Sequence, residues 1–146
     1  MALLKTLINK FGKMAGWNSV STTMLGRTIE GITALSYNDS QEVENAYGRG
    51  NKPVGRAVGN YAAQASITLY KEEAIALQMA VGPGNNIMDI EPFDISVLYE
   101  YNSVVYKDVI RNCQFTNNGV EVKQNDKTIA YQYTLIPSHI DWGLPV

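Results

Sequence analysis

The sequence predicts a mainly β protein: an antiparallel β-sandwich or barrel with one internal helix at about 71–81 and a helical arm at the N-terminus. Three observations carry the prediction. Period-two alternation of apolar and polar residues recurs through the second half. A single stretch of strong helix formers is stopped by Gly82-Pro83-Gly84. No repeat, low-complexity tract or linker divides the 146 residues, so 1–146 reads as one domain long enough to bury a core.

Taken in order, Leu4, Leu7, Ile8 and Phe11 fall at i, i+3, i+4 and i+7, one face of a short helix. Lys5, Lys10 and Lys13 occupy its other sides, and Gly12 and Gly16 weaken its end. The spacing predicts an N-terminal arm over 1–16 that packs on its own domain or on a neighbour. Interrupted by lysines, it lacks the apolar run of a secretory signal and predicts a cytoplasmic start. Arg27 to Glu30 and Ile32 to Tyr37 are β-prone runs split by Gly31, and Gln41 to Tyr47 reads as another strand. Residues 44–64 then read as a long inter-strand loop, punctuated by Gly48, Gly50, Gly55 and Gly59. Ala65 to Tyr70 alternates as a half-buried strand and hands over to the helix, where Glu72 and Glu73 suit the dipole.

Beyond the helix, Phe93, Ile95, Val97, Tyr99 and Tyr101 share one face of a strand. Val104 to Phe115 gives a further strand or two, broken at Lys107-Asp108. Thr116-Asn117-Asn118-Gly119 is a turn signal. Ile129, Tyr131, Tyr133 and Leu135 alternate again before Pro137 ends the run. With Tyr99 and Tyr101, two of these tyrosines predict an aromatic band for the core or a subunit interface.

Composition narrows the function. Charged residues are 18% and hydrophobic ones 45%, against roughly 25% charged in typical domains. A surface short of charge suits a chain covered by copies of itself. The net charge of −2 argues against gripping nucleic acid through its phosphates. One histidine, His139, and one cysteine, Cys113, exclude a Cys/His zinc site within one subunit. Cys113 reads as a small buried residue rather than half of a Cys113–His139 dyad, and His139 as a surface or cap residue. Asp89 with Glu91, and Glu72 with Glu73, read as solvated charges on a turn and a helix start. The glycine-rich stretch fits no phosphate-loop or dinucleotide pattern, and no nucleophile elbow is present. No catalytic residue, metal or cofactor is expected, and no run is long and apolar enough to span a bilayer.

From Tyr47-Gly48-Arg49 onward the chain resembles the tail tube proteins of bacteriophages and phage-like contractile injection particles. The similarity lies in a Gly-Arg closing a strand and a basic loop from Lys52 to Gly55. It continues in Ser66-Ile67-Thr68-Leu69-Tyr70-Lys71 running into a helix, and in the late strands Val109–Phe115 and Tyr131–Ile136. It covers roughly residues 27–142. Pro53 within the basic loop and the N-terminal arm depart from the pattern, which keeps a tube terminator open.

The resemblance implies a virion structural protein, not an enzyme, whose sheets join into sixfold rings. Rings stack into a hollow tail tube that passes DNA as transient cargo. The partners implied are copies of the chain itself, with sheath, tape-measure, baseplate and terminator proteins, and no membrane. The place implied is the virion tail, assembled in the host cytoplasm. Tyr47, Gly48, Arg49, Lys52, Pro53, Gly55 and Arg56 are the residues expected at subunit or ring contacts. An acidic chain suits a lumen along which DNA slides. The rival readings are a monomeric β-barrel that holds a ligand, and an enzyme built on Asp89 and Glu91.

Overall fold

The computed structural model describes Gly16 and residues 20–101 and 104–145; the side chain of Tyr101 and the N-terminal helix expected over 1–16 lie outside the described residues. The strands are β1 (Val20–Met24), β2 (Arg27–Thr28), β3 (Ile32–Tyr47), β4 (Pro53–Tyr70), β5 (Phe93–Tyr101), β6 (Val104–Phe115), β7 (Ala130–Ile136) and β8 (His139–Leu144). One helix, α1 (Lys71–Val81), follows β4 directly, and a 3₁₀ turn covers Ile87–Asp89. Among the described residues the fold is mainly antiparallel β with the one internal helix the sequence predicts, and the sheet is not closed into a barrel.

The strand order is β2-β1-β5-β6-β7-β4-β3, with β8 paired to β6. β6 is the corner. Its second edge is shared, with Lys107–Arg111 holding β8 and Gln114–Phe115 holding β7. Asn112 sits between them at φ 54, a left-handed backbone that Asn tolerates better than most residues. Two layers result, β2-β1-β5-β6-β8 and β7-β4-β3, around one apolar cluster. Ile95, Val97 and Ile110 from the first layer meet Ile67, Leu69 and Leu135 from the second. Phe93, Phe115, Tyr133 and Tyr131 form a chain of tilted and edge-on aromatic contacts within it. Of the expected aromatic band, Tyr131 and Tyr133 belong to this chain, while Tyr99 packs against the core apart from them, its hydroxyl on that of Tyr37.

α1 runs over the residues the sequence assigns it. Glu73 in its first turn pairs with Arg27 and accepts from the Gly31 N–H, tying the helix to β2. Gly82 ends it at φ 107, its N–H donating to the Gln78 carbonyl. Lys107-Asp108 does not break β6, because Asp108 has partners: Tyr37 Oη donates to it at 2.7 Å and the Gly143 N–H at 2.9 Å. The expected turn at Thr116–Gly119 opens a longer irregular passage to Ala130 instead.

The chief correction concerns residues 44–64. They are not a loop. β3 and β4 form one hairpin that keeps its ladder to the Tyr47–Pro53 pair, leaving only Gly48 to Lys52 as the connection. The two short runs expected between Ile32 and Tyr47 are likewise one 16-residue strand.

Candidate functional site

The hairpin has two unlike halves. In its inner half, Leu35, Ile67 and Tyr133 form one cross-strand row, and Tyr37, Ala65 and Leu135 the next, all turned to the core. Beyond the Asp39–Ala63 pair every residue of both strands is exposed. From Ser40 to Tyr47, eight residues at about 3.3 Å each make an arm of roughly 25 Å. β8 touches it only near its base, at Tyr61, which pairs with Gln41 and accepts from the Ile140 N–H.

The expected contact residues gather at the tip of this arm. Tyr47 faces Pro53, Ala46 faces Gly55, and Asn45 faces Arg56. Gly48 and Arg49 lie in the connection with Lys52, where Gly50 takes φ 121. Arg49, Lys52 and Arg56 are exposed, and among the described residues none of them is in an ion pair. The structure thus brings all seven together.

Sequence reasoning missed what lies below the tip. Val43 and Val58 are cross-strand partners, 50% and 64% exposed, and Tyr47 and Val54 are 63% and 73% exposed. An apolar stripe on a solvated hairpin has no reason to persist in a monomer. Val54 and Val58, β-branched residues inside the supposed loop, were the available signal. By alternation Glu42 and Glu44 stand on the opposite side from Val43 and Tyr47. The arm has an apolar and basic side and an acidic one.

β8 fixes the base of the arm. Trp142 Nε1 donates to Asp39 Oδ2 at 2.9 Å and Tyr61 Oη to the same oxygen at 2.6 Å. Tyr61 Oη also accepts from the Ile140 N–H, and the Trp142 ring packs 5.3 Å from that of Tyr37. These two donors, Trp142 first, hold the Asp39 carboxyl below its usual range. Tyr37 Oη lies 2.5 Å from Tyr99 Oη, and burial first, then these bonds, pushes its ionisation up.

Other chemistry is poorly provided. Ser138 Oγ lies 2.8 Å from His139 Nδ1, and His139 Nε2 lies 3.7 Å from Asp141 Oδ1. Oδ2 of that aspartate is held by Arg111 Nε at 2.7 Å, and the group stands half-exposed on a strand without a cleft. Cys113 is buried, donates to the Ile110 carbonyl, and is pushed by burial up to about 12. Asp89 caps the 3₁₀ turn with Asn86. Among the described residues no His, Cys, Asp or Glu cluster fits a metal, and no helix is long and apolar enough to cross a membrane.

No family model matches the chain, and no curated protein does. Solved structures do. A chain of the PVC extracellular contractile injection system, sheath/tube terminator in the extended state, superposes with TM-score 0.70 at 10% identity, covering 92% of this chain and 99% of that one. A chain of the PVC sheath-tube complex gives 0.64 at 10% identity, with coverage of 92% and 95%. The anti-feeding prophage tube terminating cap gives 0.60 at 16% identity, with 97% of each chain covered. Over nearly its whole length, the chain has a fold found in the tube and terminator assemblies of contractile injection systems, in line with its resemblance to tail tube proteins.

Proposed function

We propose that the chain is a structural subunit of a phage-type tail that assembles with copies of itself into stacked rings of six, forming the hollow tube. The observation that carries this reading is the β3–β4 arm, whose residues beyond the Asp39–Ala63 pair are all exposed, Val43, Tyr47, Val54 and Val58 among them. Two features support it. Among the described residues no strand pairs with the outer edge of β3, 16 residues without Lys or Pro, a hazard for a monomer but a joint for a ring. Contacts between unlike surfaces around an axis close into rings. In a stack, Val43, Tyr47, Val54 and Val58 bury against the adjoining ring, and Arg49, Lys52 and Arg56 find carboxylates there. Sheath, tape-measure, baseplate and terminator proteins are the further partners, the tail the site of action, and DNA the cargo of a phage form.

Electron microscopy of the purified chain over a concentration series tests this. Rings that lengthen into tubes are expected; a monomer at every concentration would end the reading. The likeness to the terminator structures favours one second reading, a subunit that closes a tube. A terminator gives single rings that never lengthen.

A further inference from the structure

The arm leaves the body as a two-stranded ribbon, and such a ribbon has no third strand to fix its twist. At roughly 25 Å from root to tip, a tilt of about 10° at the root moves the tip by about 4 Å. That is enough to break any hydrogen bond made there. The root is held from outside the hairpin, by β8. Between the Lys107–Leu144 and Val109–Asp141 pairs of β6 with β8, the lone residue Asp108 faces two, Trp142 and Gly143. This is a β-bulge, and Gly143 takes φ 62 in it, a left-handed backbone that glycine adopts without strain. Two hydrogen-bonded paths run from the bulge to the hairpin. Trp142 Nε1 donates to Asp39 at 2.9 Å, and Asp39 also accepts from Tyr61. The Gly143 N–H donates to Asp108 at 2.9 Å, and Asp108 also accepts from Tyr37. Of the six residues of β8 only Ile140 is buried, so apolar packing alone gives the strand little hold.

We infer that the bulge of β8 is a latch that aims the arm, with Trp142 as its positioning residue. The latch itself is a property of one subunit; its use in stacking rests on the ring assembly proposed above. Each path passes through a carboxylate, and a carboxylate accepts from two donors at once without losing either. Asp39 stands on β3 and Tyr61 on β4, so the Trp142 path grips both strands of the ribbon just where they leave the body. Tyr37, two residues nearer the core than Asp39, is gripped by the second path and by the Trp142 ring 5.3 Å away. Two points of attachment fix a direction where one would leave a pivot. The latch thus converts the position of β8 on the edge of β6 into the angle of the arm.

Spin labels on full-length free subunits test the latch. Lys52→Cys at the arm tip and Met79→Cys on α1 carry them; Met79 is 77% exposed, while Cys113, 0% exposed, stays unlabelled. The labelled parent should give one narrow tip-to-body distance distribution. Trp142→Phe keeps a ring against Tyr37 but removes the Nε1 donor, and should broaden the distribution. Trp142→Ala should broaden it further. Trp142 is half-exposed, so both variants should unfold at the temperature of the parent. A parent distribution already broad, or one left unchanged by Trp142→Ala, would overturn the latch. Broadening together with a lowered unfolding temperature would make Trp142 a general support of the body and overturn it as well. In assembly, Trp142→Phe should form rings normally yet need about 10-fold more protein to give tubes. Tubes at the concentration of the parent, beside a broadened distribution, would overturn the link between aim and stacking. A chain that forms no rings ends the assembly reading and that link with it, and the distances alone then decide the latch.

Discussion

Asp39 and Cys113 respond to pH from opposite sides. Asp39 is held low by Trp142 and Tyr61, and Asp94 by the Asn112 N–H and then Arg111. A depressed carboxyl contributes stability above its unfolded value, about 3.9, and that stability is lost as pH falls through the lower folded value. Cys113 works in reverse: its contribution is full below about 8.5, where a free thiol ionises, and fades as pH rises toward about 12. Urea midpoints should therefore fall below about pH 4 and above about pH 8.5. Asp39→Asn should flatten the acid limb and Cys113→Ala the alkaline one; unchanged limbs would refute these assignments. Ile67, 0% exposed between Leu35 and Tyr133, tests the core. Ile67→Ala should cost about 2–5 kcal/mol in denaturant unfolding, and a cost under about 1 kcal/mol would mean the site collapses around the gap.

At the scale of the element, legibility follows burial. α1 was readable because its composition and its Gly82 stop act locally, without help from the fold. β5 and β7 were readable because one side is core and the other solvent, so alternation is written into them. The outer hairpin is solvated on both sides, so its alternation is confined to Val43 and Tyr47 against Glu42 and Glu44 and fades along β4, where the glycines imitate a loop. Those glycines have a different task. A Cβ on Gly59 would stand 2.8 Å from Glu42 Cβ, where the ladder skips between the Gln41–Tyr61 and Val43–Val58 pairs. The glycine admits that bulge and so sets the course of the arm. Gly59→Val should leave thermal unfolding of the body within about 1 °C, given the exposed site, yet impair assembly seen by microscopy. Normal tubes would show that the arm's course does not matter. The contact residues were legible as a cluster because they are close in sequence; the Asp39–Tyr61–Trp142 brace spans 103 positions and leaves no sequence pattern.

For the whole molecule, the free edges and the arm divide the work of assembly. Ring closure in the proposed tube uses the edge of β3, a backbone ladder indifferent to side chains at the tip. Stacking uses the arm, where apolar area and cationic charge are both exposed. The two steps should therefore separate by mutation. Val43→Asp with Val58→Asp places two carboxylates face to face on the stripe, and Arg49→Glu with Lys52→Glu reverses the tip. Like charges opposed across a ladder destabilise it only modestly, and the body beyond Asp39–Ala63 does not touch them. Each double variant should unfold at the temperature of the parent and still form single rings by light scattering, but give no tubes by microscopy. Monomers instead of rings would mean that the arm also joins neighbours within a ring. Full-length tubes from the tip variant would remove Arg49 and Lys52 from the contact and leave the valine stripe to carry it; full-length tubes from both variants would remove the arm altogether.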